Sequence, residues 1–354
     1  MSKAAELAAL IGSQTALSNR NLIINGAMQV AQRGTSSTSS GYQTVDRFNV
    51  HKSSFGQLAF TQTQVTDAPA GFSNSYKFTT TTAETAVDAA ESLGIRTALE
   101  GQDLQQLGYG TGSAKKLTLS FYVKSSQTGT FAIYFYSADT VRIITRTYTI
   151  SSANTWEQKS VTIDGDASGS IDNDANESFQ ISWCIAAGSN FTSSDSTSWS
   201  AYSTANTYFG HAQNAVLTTT NATWQITGLQ LEVGETATPF EHRSFADELA
   251  RCQRYFQTMS RTGYMAGRGN GTTSVSDCQI PTATVLRASP TIAGGSWFMS
   301  KQDGTTLYTG SGETYSVQDL SSNGVVTDIG SITNGTDNAV MVMQVTDVTL
   351  DAEL

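Results

Sequence analysis

The sequence predicts an all-β protein: a jelly-roll β-sandwich, a short linking helix and a smaller C-terminal β-sandwich. Three observations carry this. Apolar and polar residues alternate in run after run; Leu117, Leu119, Phe121 and Val123 share one face, and Phe131, Ile133 and Phe135 share another. Turn residues separate the runs at regular intervals, as a sandwich requires. Charged residues make up only 14% of the 354, with Ser, Thr, Gly and Asn filling the difference. Many β-branched and aromatic residues beside only 4 prolines argue against disorder.

Residues 1–20 read as a helical arm. Ala4, Leu7, Leu10 and Ile11 recur at helical spacing and Gly12 ends the run. So short a helix is marginal alone, so Leu7, Leu10 and Ile11 are expected to dock onto another protein or meet at a trimer axis. Residues 21–243 follow as the first sandwich. NLIINGAMQV, DRFNV, QLAFTQTQV, SYKFTTTT, LGIRTAL, KKLTLSFYVKS, GTFAIYFYS, RIITRTYTI, WEQKSVTI, ESFQISWCIAA and ATWQITGLQLEV are its strands. The stretches 164–176, acidic, and 189–208, rich in Ser, Thr and Asn, are expected as rim loops.

Gly234 and Pro239 break the last of these strands, and residues 244–260 form the linking helix. Ser244 is placed as its N-cap and Asp247 and Glu248 in its first turn, with Leu249, Cys252 and Phe256 on one side. Leu249 and Phe256 are expected near a three-fold axis. Residues 261–354 alternate again, as a distal β-sandwich whose chain ends on a strand.

Several function classes are excluded or weakened. A net charge of −10, with no basic cluster beyond Lys115 and Lys116, excludes a duplex nucleic-acid binder. The apolar stripe at the start is far shorter than the roughly 20 residues that cross a bilayer, and no signal peptide is read there; no membrane insertion is expected. Cys184, Cys252 and Cys278 are widely spaced without a CxxC, so no zinc or dithiol site is written. Cys184 is expected as a buried small apolar residue. The histidines, His51, His211 and His242, stand in no hydrolase motif, and no GxSxG or HExxH occurs. Asp164, Asp166, Asp172, Asp174 and Glu177 are the densest carboxylate cluster. In an exposed turn they lack the desolvation that raises an acid's pKa, and the calcium-loop pattern fails. No catalytic residue, metal or cofactor is expected.

Aromatic side chains remain as ligand candidates, because the apolar face of a sugar ring suits a π surface. Tyr134 and Tyr136 alternate with the Phe131–Phe135 face and are expected outward; Trp199 sits in a loop. In the distal region, loops at 261–270 and 297–308 would offer Tyr264, Arg268, Trp297 and Tyr308.

Three blocks carry a family resemblance. They are NLIINGAMQVAQRG followed by VDRF, the stretch from Leu117 to Thr192, and WQITGLQLEVGETATPFEHRSFADELARCQRYF. Together the chain resembles tail-fibre, tail-spike and related virion proteins of tailed bacteriophages. The resemblance implies a first domain similar to carbohydrate-binding modules, and transfers no catalytic residues. It leads to the expectation of a non-enzymatic structural protein of the virion, assembled in the host cytoplasm. Its expected form is a homotrimeric tail fibre that adsorbs to a host-surface glycan and docks to other tail or capsid proteins through the arm. The alternatives are a capsid or tail decoration or adaptor protein, and a glycan-depolymerising tail spike. The last would carry repeated β-helix rungs, and the sequence shows no such repeat.

Overall fold

The computed structural model describes residues 19–53, 55–192, 196–202, 209, 211–259, 263–270, 274–301, 306–311, 314–321, 324–330 and 340–354. At 259, 263–270, 274–279, 294–301, 306–311, 314–321, 328–330 and 340–347 the description is of backbone alone. The arm residues Leu7, Leu10 and Ile11 lie outside the described residues. The chain divides into two compact units, Met1–Phe245 and Ala246–Leu354.

The first unit is an antiparallel β-sandwich. Its strands are β1 (Ser36–Ser37), β2 (Asn49–Lys52), β3 (Ala59–Val65), β4 (Ser75–Thr82), β5 (Ser92–Glu100), β6 (Leu117–Ser125), β7 (Gly129–Ser137), β8 (Arg142–Ile150), β9 (Glu157–Ile163), β10 (Glu177–Ala187), β11 (Ser200–Ala201) and β12 (Thr223–Val233). One six-stranded sheet runs β1-β3-β4-β12-β6-β9, the other β11-β8-β7-β10-β5-β2. Most successive strands change sheet, which is jelly-roll wiring. The alternating apolar sets meet between the sheets. Trp183, Trp224, Phe121, Phe131, Phe135 and Phe179 are all fully buried there, and Trp224 donates its indole N–H to the Tyr148 hydroxyl at 3.2 Å. A short helix, α1 (Ala215–Thr218), precedes β12.

NLIINGAMQV, expected as a strand, is instead a turn-rich strap against β12. Side-chain amides supply what a β ladder would. Asn21 accepts from the amides of Ile23 and Leu231 and donates to the Leu229 carbonyl. Asn25 bridges the Val30 and Asp46 backbones with three buried hydrogen bonds. Gly26 lets the strap close on β12, since a Cβ there would lie 2.1 Å from the Leu229 carbonyl oxygen. The VDRF block is equally buried: Asp46 holds the Gln32 amide and side chain, and Arg47 donates to the Ala98 carbonyl.

The two stretches expected as rim loops do more than connect. Within 164–176, Asp166 is 1% exposed and pairs with Arg142 at 2.6 Å, because the β8 edge places a guanidinium beside it. The described part of 189–208 supplies β11 to the second sheet and, with Phe209, an apolar cover beside it. There Phe191, Tyr202 and Phe209 cover Ala132, Tyr134, Ile143 and Cys184 as a second apolar cluster. Burial pushes the Cys184 thiol well above its ordinary pKa, consistent with an inert packing residue.

The boundary falls at the first residue of α2 (Phe245–Gln253), with Ser244 before it and Asp247 and Glu248 in its first turn. The linking helix is shorter than expected. Phe256 opens a strand, β13 (Phe256–Met259), rather than ending a helix, because β20 supplies it with a ladder partner. The remaining strands are β14 (Gly263–Asn270), β15 (Ser274–Pro281), β16 (Thr291–Lys301), β17 (Thr306–Ser311), β18 (Thr314–Ser321), β19 (Gly324–Gly330) and β20 (Val340–Asp351). They form one eight-stranded sheet whose path runs β17-β16-β20-β14-β15-β19-β18, with β13 also on β20. β17 and β18 end opposite sides of this path, yet Ser311 and Thr314 are three residues apart and so within about 11 Å. The sheet must therefore roll until its ends approach, which gives the all-β, sandwich-like second layer the sequence predicts. Among the described residues no helix is long and apolar enough to cross a membrane.

Candidate functional site

The outer face of the first sheet carries a groove of about 560 Å³, built wholly within the first unit. Its floor follows from strand alternation. On β6 the residues Leu117, Leu119, Phe121 and Val123 enter the core, so Thr118, Ser120, Tyr122 and Lys124 face outward. The registers align them in rungs: Thr227, Tyr122 and Gln158 across β12, β6 and β9, then Gln230, Ser120 and Ser160. A β-bulge between Thr227 and Gln230 interrupts the ladder on β12. Gly228, at φ +64°, occupies it. A Cβ at that position would stand 2.6 Å from the Phe72 ring, so the missing side chain is what admits Phe72. Bulges of this kind re-aim side chains beside functional sites.

Two segments wall the groove. Pro69–Phe72, between β3 and β4, closes as a turn with the Phe72 amide on the Pro69 carbonyl at 3.1 Å. The other wall is the chain after β12. Gly234 and Pro239 turn it back over the sheet, where Glu232 accepts from the Thr238 amide at 2.8 Å and from its hydroxyl at 2.6 Å. Gln230 accepts from the Glu241 amide at 2.7 Å.

That second wall is locked by the strap. Glu241 takes the Asn19 and Asn21 amides at 2.5 and 2.8 Å, Arg20 donates to the Pro239 carbonyl, and Arg243 donates to the carbonyls of Asn21 and Ile23. Partial burial pushes the Glu241 carboxyl up. The amides of Asn21 and Asn19 and the guanidiniums of Arg243 and Arg20 outweigh it and hold the group below its ordinary pKa.

The rings of the two walls and floor touch. Phe72 lies 5.5 Å from Tyr122, 4.9 Å from Phe240 and 5.4 Å from His242, and Phe240 stands edge-on to His242 at 4.9 Å. Ser120, Gln158 and Thr238 add hydroxyl and amide groups to the lining, which includes no carboxylate. Apolar ring faces set among a few neutral hydrogen-bonding groups suit a polyhydroxylated ligand with one apolar face.

The residues singled out in the sequence lie elsewhere. Tyr134 is fully buried, 5.2 Å from Phe209; it does face away from the core, but Phe209 covers it, so it cannot meet a ligand. Tyr136 packs edge-on to Tyr202 beneath the same cover. Trp199 is partly buried among Tyr109 and Phe179 and donates to the Asp164 carbonyl at 2.7 Å. Tyr264 and Arg268 lie on β14, Trp297 on β16 and Tyr308 on β17. The two segments expected as contact loops are thus mostly strand. Leu249 is partly exposed on α2, whereas Phe256 is 4% exposed and buried within its own unit. Among the described residues no three His, Cys, Asp or Glu side chains gather as a metal site.

No protein-family model matches the chain, and no curated protein matches it. Solved structures do. One is the enzymatically active domain of tailspike protein 4 of bacteriophage CBA120: 11% identity, 61% of this chain, 22% of that chain and a TM-score of 0.35. A family 11 carbohydrate-binding module of a Clostridium thermocellum cellulosomal cellulase matches at 11% identity over 58% of this chain and 98% of its own, with a TM-score of 0.30. An arabinose-bound α-L-arabinofuranosidase matches at 13% over 66% of this chain and 30% of that one, with a TM-score of 0.34. This chain thus covers less than a third of the tailspike and arabinofuranosidase chains and nearly all of the binding module.

Proposed function

We propose that the chain is a non-enzymatic virion protein that holds a host-surface glycan in the groove of its first domain. The carrying observation is the contact of Phe72, Tyr122, Phe240 and His242 around an open, neutral, hydroxyl-lined floor. Hydrolysis of a glycosidic bond calls for two flanking carboxyl groups; a lining without any favours holding a sugar over cleaving it. The chain acts as a homotrimeric tail fibre, with the N-terminal arm docked to other tail or capsid proteins, in keeping with the family its sequence blocks resemble.

The full-length protein and its Tyr122→Ala and Phe240→Ala variants, applied to host cells and to neutral glycans on an array, test this reading. Wild type should bind and both variants should lose at least about tenfold in affinity, as removal of a stacking ring does. No reducing ends should accumulate from the bound glycan. Unchanged binding by the variants would move the contact to the distal domain, where Tyr264, Arg268, Trp297 and Tyr308 are next. Attachment to particles without any host-cell binding would favour a decoration or adaptor protein.

A further inference from the structure

The rung next to the groove floor carries a second aromatic station. Lys124 follows Tyr122 on the outward face of β6, two residues or about 7 Å along the strand. Its neighbours across the sheet are Gln225 on β12 and Trp156, the residue before β9. The Lys124 ammonium lies 5.1 Å from the Trp156 ring centre and also pairs with Asp67. The Trp156 indole donates to the same carboxylate at 3.3 Å. Asp67 lies in the β3–β4 connection that reaches Phe72 five residues later, so one short segment contributes to both stations. The hydrogen bond from Lys124, opposed by burial and aided by Trp156, holds the Asp67 carboxyl below its ordinary pKa. Half of the Asp67 side chain remains exposed.

We infer that Trp156, with Lys124 and Asp67, forms a second saccharide subsite continuous with the groove, and that the ligand is therefore an extended glycan chain rather than a single terminal sugar. A single pyranose ring can lie on Tyr122 and Phe72 or on Trp156, but not on both. Successive rings of one chain reach both. The polar partners suit this assignment: a carboxylate accepts and an ammonium donates hydrogen bonds to ring hydroxyls, while the indole offers the apolar surface. The fixed pairing of Lys124 with Asp67 orients the Trp156 ring before any ligand arrives, which lowers the ordering cost of binding.

This inference rests on the glycan reading of the groove, and its test separates the two. Full-length protein is titrated calorimetrically with ladders of neutral gluco- and galacto-saccharides from monosaccharide to hexasaccharide. Affinity should rise with chain length and then level off. Trp156→Ala should flatten that rise, costing about tenfold for the longer members, one stacking contact, with no change for the monosaccharide. Trp156→Phe should restore most of it, and thermal melts should confirm that both variants fold. Length-independent binding, or a length dependence that survives Trp156→Ala, overturns the second subsite and leaves the groove standing. No binding to any ladder overturns the groove reading and the subsite together.

Discussion

At the scale of single residues, glycine and asparagine decide more than the aromatic side chains that first draw attention. Gly228 combines a left-handed φ of +64° with a Phe72 ring where its Cβ would be. Gly228→Ala should lower stability by about 1–3 kcal/mol through strain and overpacking. It should also displace Phe72, so ligand affinity falls further than the melting temperature alone explains; calorimetric binding beside a thermal melt checks both. Asn25→Ala removes three buried hydrogen bonds and takes the acceptor from the Val30 amide, while the Val30 carbonyl keeps the Asp46 amide. A loss of roughly 2–4 kcal/mol in chemical denaturation is expected, with no direct effect on the ligand groove. Neither role is visible in the sequence alone. An asparagine that bridges two segments looks the same as one in a turn, and Tyr134 reads as outward without any sign of what covers it. Tyr122, by contrast, was available from the alternation of β6, since Leu117 to Val123 fix the opposite face.

Among elements, β strands were legible and their covers were not. β3, β4, β6 to β10 and β12 follow the alternation that names them, because a two-residue period is local. The strap at 19–30 and the wall at 234–243 have no period; several of the hydrogen bonds that hold them run to partners more than two hundred residues away, such as Asn21 to Leu229 and Asn19 to Glu241. These two segments also carry a pH dependence. The folded-state pKa of Glu241 is depressed, so its contribution is present above its unfolded value and is lost as pH falls through the folded one. Below a pH of about 4, under the ordinary glutamate value, the strap and wall should loosen first. Hydrogen exchange at the Asn19 and Asn21 amides should accelerate there before exchange in β6 or β12 does. Glu241→Gln should remove that acid-dependent step while keeping much of the hydrogen bonding. Equal acid sensitivity in the variant would assign the effect to another carboxylate.

For the whole molecule, Gly234, Pro239 and the α2 pattern interrupt two different strand series, and the chain divides into two compact units after Phe245. The rolled closure of the second unit was not legible, since nothing local reveals that β17 and β18 lie at opposite ends of one sheet path. Assembly belongs to this scale. The proposed homotrimer should appear as three chains by light scattering, and replacing Leu7 and Leu10 with Ser should loosen it or release the protein from particles. A monomer both in solution and on the particle would sink the trimer. The strap has one more consequence, for the order of events during synthesis. Asn19 to Ile23 leave the ribosome early, but their partners Leu229, Leu231, Glu241 and Arg243 emerge some two hundred residues later. Contacts of such separation make folding slow. The first domain must therefore wait, partly collapsed and open to proteases, until translation has passed Arg243. A nascent chain arrested at residue 220 should be degraded quickly, whereas one arrested well past that point should resist.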